Sequence, residues 1–217
     1  MGSYQGQDLA ATISSALPLS RRTENKLRTS KTLRDAAFEL FLANGYDTTT
    51  ADQIAAKAGV STRTFFRYFD AKEEVLFRGQ RSWSETAAEL IKKQPADLSQ
   101  MDAMRAALIK LATGISRDAL VRFERIVKSS VVLLGRSVVQ QAESAARIAE
   151  GLAARRGLTA PDEECRIMGS LGLMLYAQAA GELRDGIKDA PIETLIRDKF
   201  AALEALYATV LTARETA

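Results

Sequence analysis

The sequence predicts an all-α protein, and three observations carry that reading. Apolar residues recur at three- and four-residue intervals over most of the 217 residues, while period-two alternation is nearly absent. Glycine, proline and serine punctuate the pattern at long intervals, at Gly114, at Gly157 to Pro161 and at Gly186 to Pro191. One segment, Thr49 to Lys72 (TTADQIAAKAGVSTRTFFRYFDAK), reads as two short helices joined at a steep angle by a tight turn.

Residues 1–25 read as a loose tail with room for a short helix before Pro18, and the region ends basic in Arg21, Arg22, Lys26 and Arg28. A first helix is expected from Ser30 to Asn44, with Leu33, Ala37, Leu40 and Phe41 as its buried stripe and Gly45 closing it. Thr50 and Gln53 then form a capping box. Ile54, Ala55 and Ala58 make one apolar face, and Ala55 leaves space for a crossing helix. Gly59 suits a positive-φ helix end, Val60 plugs the turn, and Ser61 caps the next helix. In that helix Phe65, Tyr68 and Phe69 point inward, while Thr62, Arg63, Thr64, Phe66 and Arg67 fall on the other side.

Asp70 with Glu73 repeats the cap signature, so a helix is expected from Ala71 to about Lys93. Its Val75 and Leu76 belong to the N-terminal head, and its Trp83, Ala87, Leu90 and Ile91 to the remaining body, making it the covalent strut between them. Gln94 to Ser99, with Pro95, breaks the chain. Met101, Met104, Leu108 and Leu111 mark the next helix. Arg117 to Arg156 reads as helix split near Gly135, and Pro161 as first-turn residue of a helix reaching Asp185. A final helix is expected from Pro191 to about Ala213, with Leu195, Ile196, Phe200, Leu203, Leu206, Tyr207 and Val210 too broadly spread for one stripe.

A short helix that exposes Thr, Arg, Thr and Arg beside a sharp turn has the geometry for the DNA major groove. The bland alternative is an αα-corner inside a helical bundle. Arg63 and Arg67 are candidates for base edges, since Arg matches guanine O6 and N7. Thr62 and Thr64 reach a base or a phosphate, and the Phe66 ring suits a thymine methyl. Ser61 belongs to the same surface as its cap. Thr49 and Thr50, with the backbone N–H groups of that helix start, suit one phosphate, and Lys72 another. Tyr68 either places its hydroxyl on a phosphate or is half buried. The basic run near Arg21 reads as an arm on DNA or as a solvated lead-in.

The segment from Leu33 to Leu76, LRDAAFELFLANGYDTTTADQIAAKAGVSTRTFFRYFDAKEEVL, resembles the DNA-binding domain of the TetR family of bacterial transcriptional regulators. The likeness runs through Phe38 and Leu42, Gly45-Tyr46, the Thr pair, Ile54-Ala55, Ala58 to Ser61, Phe65 to Phe69 and Lys72, and covers roughly a fifth of the chain. Phe66 stands where the family often has Tyr. The resemblance implies a flexible tail over 1–25, a helix-turn-helix DNA-binding domain over 26–78, and a helical ligand-binding and dimerisation domain over 79–217. It further implies a cytoplasmic homodimer on a palindromic operator, and usually a repressor released by a small, largely apolar effector. Trp83, Met104, Phe123, Met168 and Tyr176 are candidates for the effector lining. Leu171, Leu175, Leu203 and Leu206, on the last two long helices with their many small residues, are candidates for the dimer surface.

Composition agrees with this and excludes little. The apolar fraction is 47% and the charged fraction 26%, as in soluble globular proteins. Residues 21–78 hold eleven Lys and Arg against eight Asp and Glu, so the basic excess lies in the head. No histidine is present, and the lone Cys165, read as a small buried hydrophobe, fits a reducing compartment. Leu9 to Leu19 makes a poor signal peptide, and the apolar run 167–181 is too short to span a bilayer. No GxGxxG, P-loop, nucleophile elbow or HExxH occurs, so no enzyme, cofactor or metal is expected. The alternatives left open are an effector-independent or architectural DNA-binding protein, an activator, and a helical interaction module without DNA.

Overall fold

The structure, a computed structural model, describes residues 21–215, with side chains described through Thr209. The helix anticipated before Pro18 and the stretch Leu9 to Leu19 lie outside the described residues, as does the side chain of Val210. The fold is all-α, and no strand occurs among the described residues. The helices are α1 (Arg21–Asn44), α2 (Ala51–Lys57), α3 (Thr62–Tyr68), α4 (Glu74–Lys92), α5 (Gln100–Ala112), α6 (Arg117–Lys128), α7 (Val131–Arg155), α8 (Glu163–Asp185) and α9 (Ile192–Glu215).

The described residues divide into two compact units: 21–82 with 121–140, and 83–120 with 141–215. In the first, Leu33, Phe41, Ile54, Phe65 and Phe77 are fully buried or nearly so, with Ala37 and Ala55 where helices approach closely. Side chains of that size stabilise by about 1.5–3 kcal/mol each when buried, which fixes how α1, α2 and α3 sit on one another. Phe41 stands 5.3 Å from Tyr46, and Phe77 meets Phe123 edge-on at 6.2 Å. In the second unit, α9 packs on α8 and α5. Its core includes Met104, Leu108, Leu111, Ile148, Leu152, Leu195 and Phe200. Close approach there depends on glycine: a Cβ on Gly151 would stand 2.6 Å from the Ala88 Cα, and one on Gly169 2.5 Å from the Ala145 carbonyl oxygen.

Four boundaries depart from the sequence reading, each for a local reason. α1 starts at Arg21, nine residues before Ser30, because the added turns contain no breaker and stitch themselves together. Arg28 donates to Asn25 at 3.0 Å, and the Thr32 hydroxyl donates to the Arg28 carbonyl at 3.0 Å. α4 starts at Glu74, because the Glu73 carboxylate accepts from the Tyr46 hydroxyl at 2.9 Å and does not close a box with Asp70. The break after α6 falls at Ser129 and Ser130, and Gly135 stays helical. Ser130 is buried, donates to Asp47 at 3.0 Å, and offers its carbonyl to the Leu134 N–H at 3.0 Å. Asp162, not Pro161, opens α8, its side chain accepting from the Cys165 N–H at 2.9 Å.

Candidate nucleic-acid interface

The candidate surface is built on α2, the turn and α3. Thr50 caps α2 with both bonds of the capping box: the Gln53 N–H reaches Thr50 Oγ1 at 3.2 Å, and the Thr50 N–H reaches Gln53 Oε1 at 2.8 Å. The turn closes through the Val60 N–H on the Ala55 carbonyl at 3.0 Å, with Gly59 at φ 69°, a conformation that a side chain would strain. Ser61 caps α3 by accepting from the Thr64 N–H at 3.2 Å. The Thr62 hydroxyl donates to Asp52, tying the first turn of α3 to the first turn of α2. At the other end Arg78 donates to the Tyr68 carbonyl and lies over the Phe69 ring at 5.4 Å. Lys57 reaches Glu39 at 2.8 Å and joins α2 to α1.

Phe65 and Phe69 anchor α3 in the core, and Tyr68 is half buried. The opposite face presents Arg63 and Arg67, both exposed, and Phe66, 51% exposed, with Thr62 and Thr64 half buried beside them. Among the described residues Arg63 makes no hydrogen bond or ion pair, so its guanidinium donors are unspent. Arg67 lies 5.4 Å from the Tyr68 ring.

Two of the anticipated groups face inward. Thr49 is 1% exposed, and its hydroxyl donates to the Gly45 carbonyl at 2.7 Å. The Lys72 ammonium donates to the carbonyls of Tyr46 at 2.8 Å and Thr49 at 2.9 Å, with a longer contact to Asp47 at 3.4 Å. It also stands 4.1 Å from the Tyr46 ring centroid. Lys72 therefore braces the loop that delivers α2. Burial, then the hydrogen bond to Glu73, push the Tyr46 hydroxyl well above its ordinary pKa of 10.0. Sequence reasoning missed Asp52, Glu73 and Arg78 as supports. Their types are unremarkable, and only the fold brings them to their partners.

The effector candidates separate. Phe123 belongs to the first unit, and Trp83, Met104, Met168 and Tyr176 to the second. The Trp83 and Tyr176 rings meet at 4.7 Å, tilted by 45°, and burial raises the Tyr176 hydroxyl above its ordinary range. The Trp83 indole N–H is buried with no hydrogen-bond partner among the described residues. Met104 is fully buried, and a Cβ on Gly172 would meet its Sδ at 2.3 Å. Of the dimer candidates, Leu175 is 5% exposed, Leu171 and Leu203 are half buried, and Leu206 is 62% exposed. Ile167, Met174 and Tyr207 are exposed on the same two helices. An apolar strip on α7, including Val131, Val132, Val138 and Val139, is also exposed and was not anticipated.

Residues 33–78 match the model for bacterial regulatory proteins, tetR family, which takes in every residue of α2 and α3. The HTH-type transcriptional regulator TcmR of Streptomyces glaucescens is 33% identical over 145 residues, 63% of this chain and 64% of that protein. The chain carries a TetR-family domain over residues 33–78. The match spans less than two thirds of the length of TcmR. Solved TetR-family structures agree in fold. A TetR-family regulator from Streptomyces coelicolor A3 aligns with a TM-score of 0.52 at 18% identity, over 87% of this chain and 98% of that one. The SmeT–triclosan complex aligns at 0.53 and 20%, over 84% and 91%. The TetR-family match thus includes α3, on which Arg63 and Arg67 are exposed. No group of three or more metal-ligating side chains, and no helix long and apolar enough to cross a membrane, occurs among the described residues.

Proposed function

We propose that this chain is a TetR-family, sequence-specific DNA-binding transcriptional regulator that acts in the cytoplasm as a homodimer. One observation carries the reading: α3 is pinned at both ends and in its core, yet holds Arg63, Phe66 and Arg67 outward. Such a helix enters the major groove with its side chains already placed, which reduces the ordering cost of binding. Arg63 and Arg67 read base edges, with Thr62, Thr64 and Phe66 beside them. Thr50, Ser61 and Tyr68 hold phosphates, with the first N–H groups of α2. Thr49 and Lys72 fix the loop before α2, and Lys72 adds positive potential at its edge.

Dimerisation is supported by the exposed apolar side chains Ile167 and Met174 on α8 and Leu206 and Tyr207 on α9. Leu171 and Leu203 flank them, half buried. A two-fold dimer sets two copies of α3 about one DNA turn apart, roughly 34–36 Å, and so selects a palindrome. For control, a small and largely apolar effector enters the second unit near Trp83 and Tyr176. The unpaired Trp83 N–H is a donor that a ligand acceptor would satisfy. α4 contributes residues to both units and is the covalent route by which such a ligand biases DNA affinity. Release from the operator makes the chain a repressor.

Selection of bound duplex from a random pool tests this reading. It should return an inverted repeat with half-sites one helical turn apart. Recovery of sequences with no common half-site would overturn it.

A further inference from the structure

The first turns of α1 have no role in the core of the first unit. Arg22, Lys26 and Thr29 recur at i, i+4 and i+7, so they share one face of the helix. Arg22 and Lys26 are exposed. Opposite that face stand Arg67 and Tyr68, at the end of α3. Between them runs an open groove of about 980 Å³, lined by Arg22, Thr23, Asn25, Lys26 and Thr29 on one side and Arg67 and Tyr68 on the other. No carboxylate lines it among the described residues. The Asn25 side-chain Oδ1 accepts from Arg28 at 3.0 Å, which leaves the Asn25 side-chain NH2 for an outside acceptor. Three cations, an amide and three hydroxyls thus converge on a trough too large for one inorganic anion.

We propose that this groove seats a run of phosphodiester backbone of duplex DNA, adjoining the stretch that α3 reads. The inference rests on the DNA-binding reading above and extends it to the flank of each half-site. The donors match non-bridging phosphate oxygens, and the cations spaced along α1 follow a charged backbone, while Arg67 alone is shared with the base-reading face of α3. The groove therefore contributes affinity and footprint length but not sequence preference. Arg67 stands at the junction of the two surfaces.

The test uses the full chain and a duplex recovered from the random pool, extended at both ends by arbitrary sequence. Affinity is measured from about 50 to 200 mM salt for wild type and for the Arg22→Gln/Lys26→Gln double variant, with footprints of both. Removing two phosphate contacts should make the slope of log K against log salt shallower by about 2. The footprint should shorten at its outer edges, and the ranking of operator variants should not change. The exchange Arg22→Lys/Lys26→Arg keeps both charges and should keep the wild-type slope, which separates loss of charge from loss of fold. An unchanged slope and footprint in the double variant would overturn the groove while leaving the role of α3 intact. Failure of the wild type to favour any duplex would overturn the DNA reading itself.

Discussion

Replacing Lys72 by methionine separates two roles that one lysine could hold. In the structure its ammonium makes two short charge-assisted bonds, to the Tyr46 and Thr49 carbonyls at 2.8 and 2.9 Å. It also covers the Tyr46 ring at 4.1 Å. At about 1.5 kcal/mol for each bond, discounted because the site is half exposed, and about 0.5 kcal/mol for the ring contact, the brace contributes roughly 2–3 kcal/mol. Methionine keeps most of the aliphatic stem and removes only the donors. Urea unfolding of the DNA-free protein should show that loss directly. DNA affinity should then keep nearly its wild-type salt slope at concentrations where the variant is folded. An unchanged unfolding midpoint, with a salt slope shallower by about 1, would refute the brace and restore Lys72 as a phosphate ligand.

Other outcomes are expected. Gly151→Ala drives a methyl to 2.6 Å from the Ala88 Cα and should destabilise by about 1–3 kcal/mol despite better helix propensity, whereas Gly135→Ala meets nothing within 4 Å and should stabilise by about 0.5–1 kcal/mol. Thermal melts of both variants check the opposite signs, and equal effects would contradict the packing. Stability should also fall as pH rises past 10.0, the ordinary tyrosine value. Tyr46 and Tyr176 stay protonated in the folded state and ionise in the unfolded one, so the unfolded state binds fewer protons in that range. A Tyr176→Phe variant should lose less stability than wild type over the same range, and identical pH profiles would argue against the buried hydroxyl.

The helix-turn-helix was legible because its signals are local. Thr50 with Gln53, the Ala55 crossing, Gly59 and Ser61 each act within a few residues. Local signals also misled where a distant partner took over. Glu73 looked like the closing residue of a cap, but Tyr46, 27 positions away, holds it. Gly135 looked like a break, but the buried Ser130, fixed by Asp47, breaks the helix first. Thr49 and Lys72 have the chemistry of phosphate ligands, and only the packing of the loop onto α1 shows where their donors go. The groove beside Arg22 and Lys26 needed α1 to begin at Arg21, which its low apolar content concealed.

The most direct test of the central claim, that α3 reads base edges, is the affinity of Arg63→Ala across a panel of single-base operator variants. The account predicts a loss of about 1–3 kcal/mol on the selected operator, relaxed preference at one position in each half-site, and almost no loss on scrambled duplex. An equal loss on every sequence would contradict it.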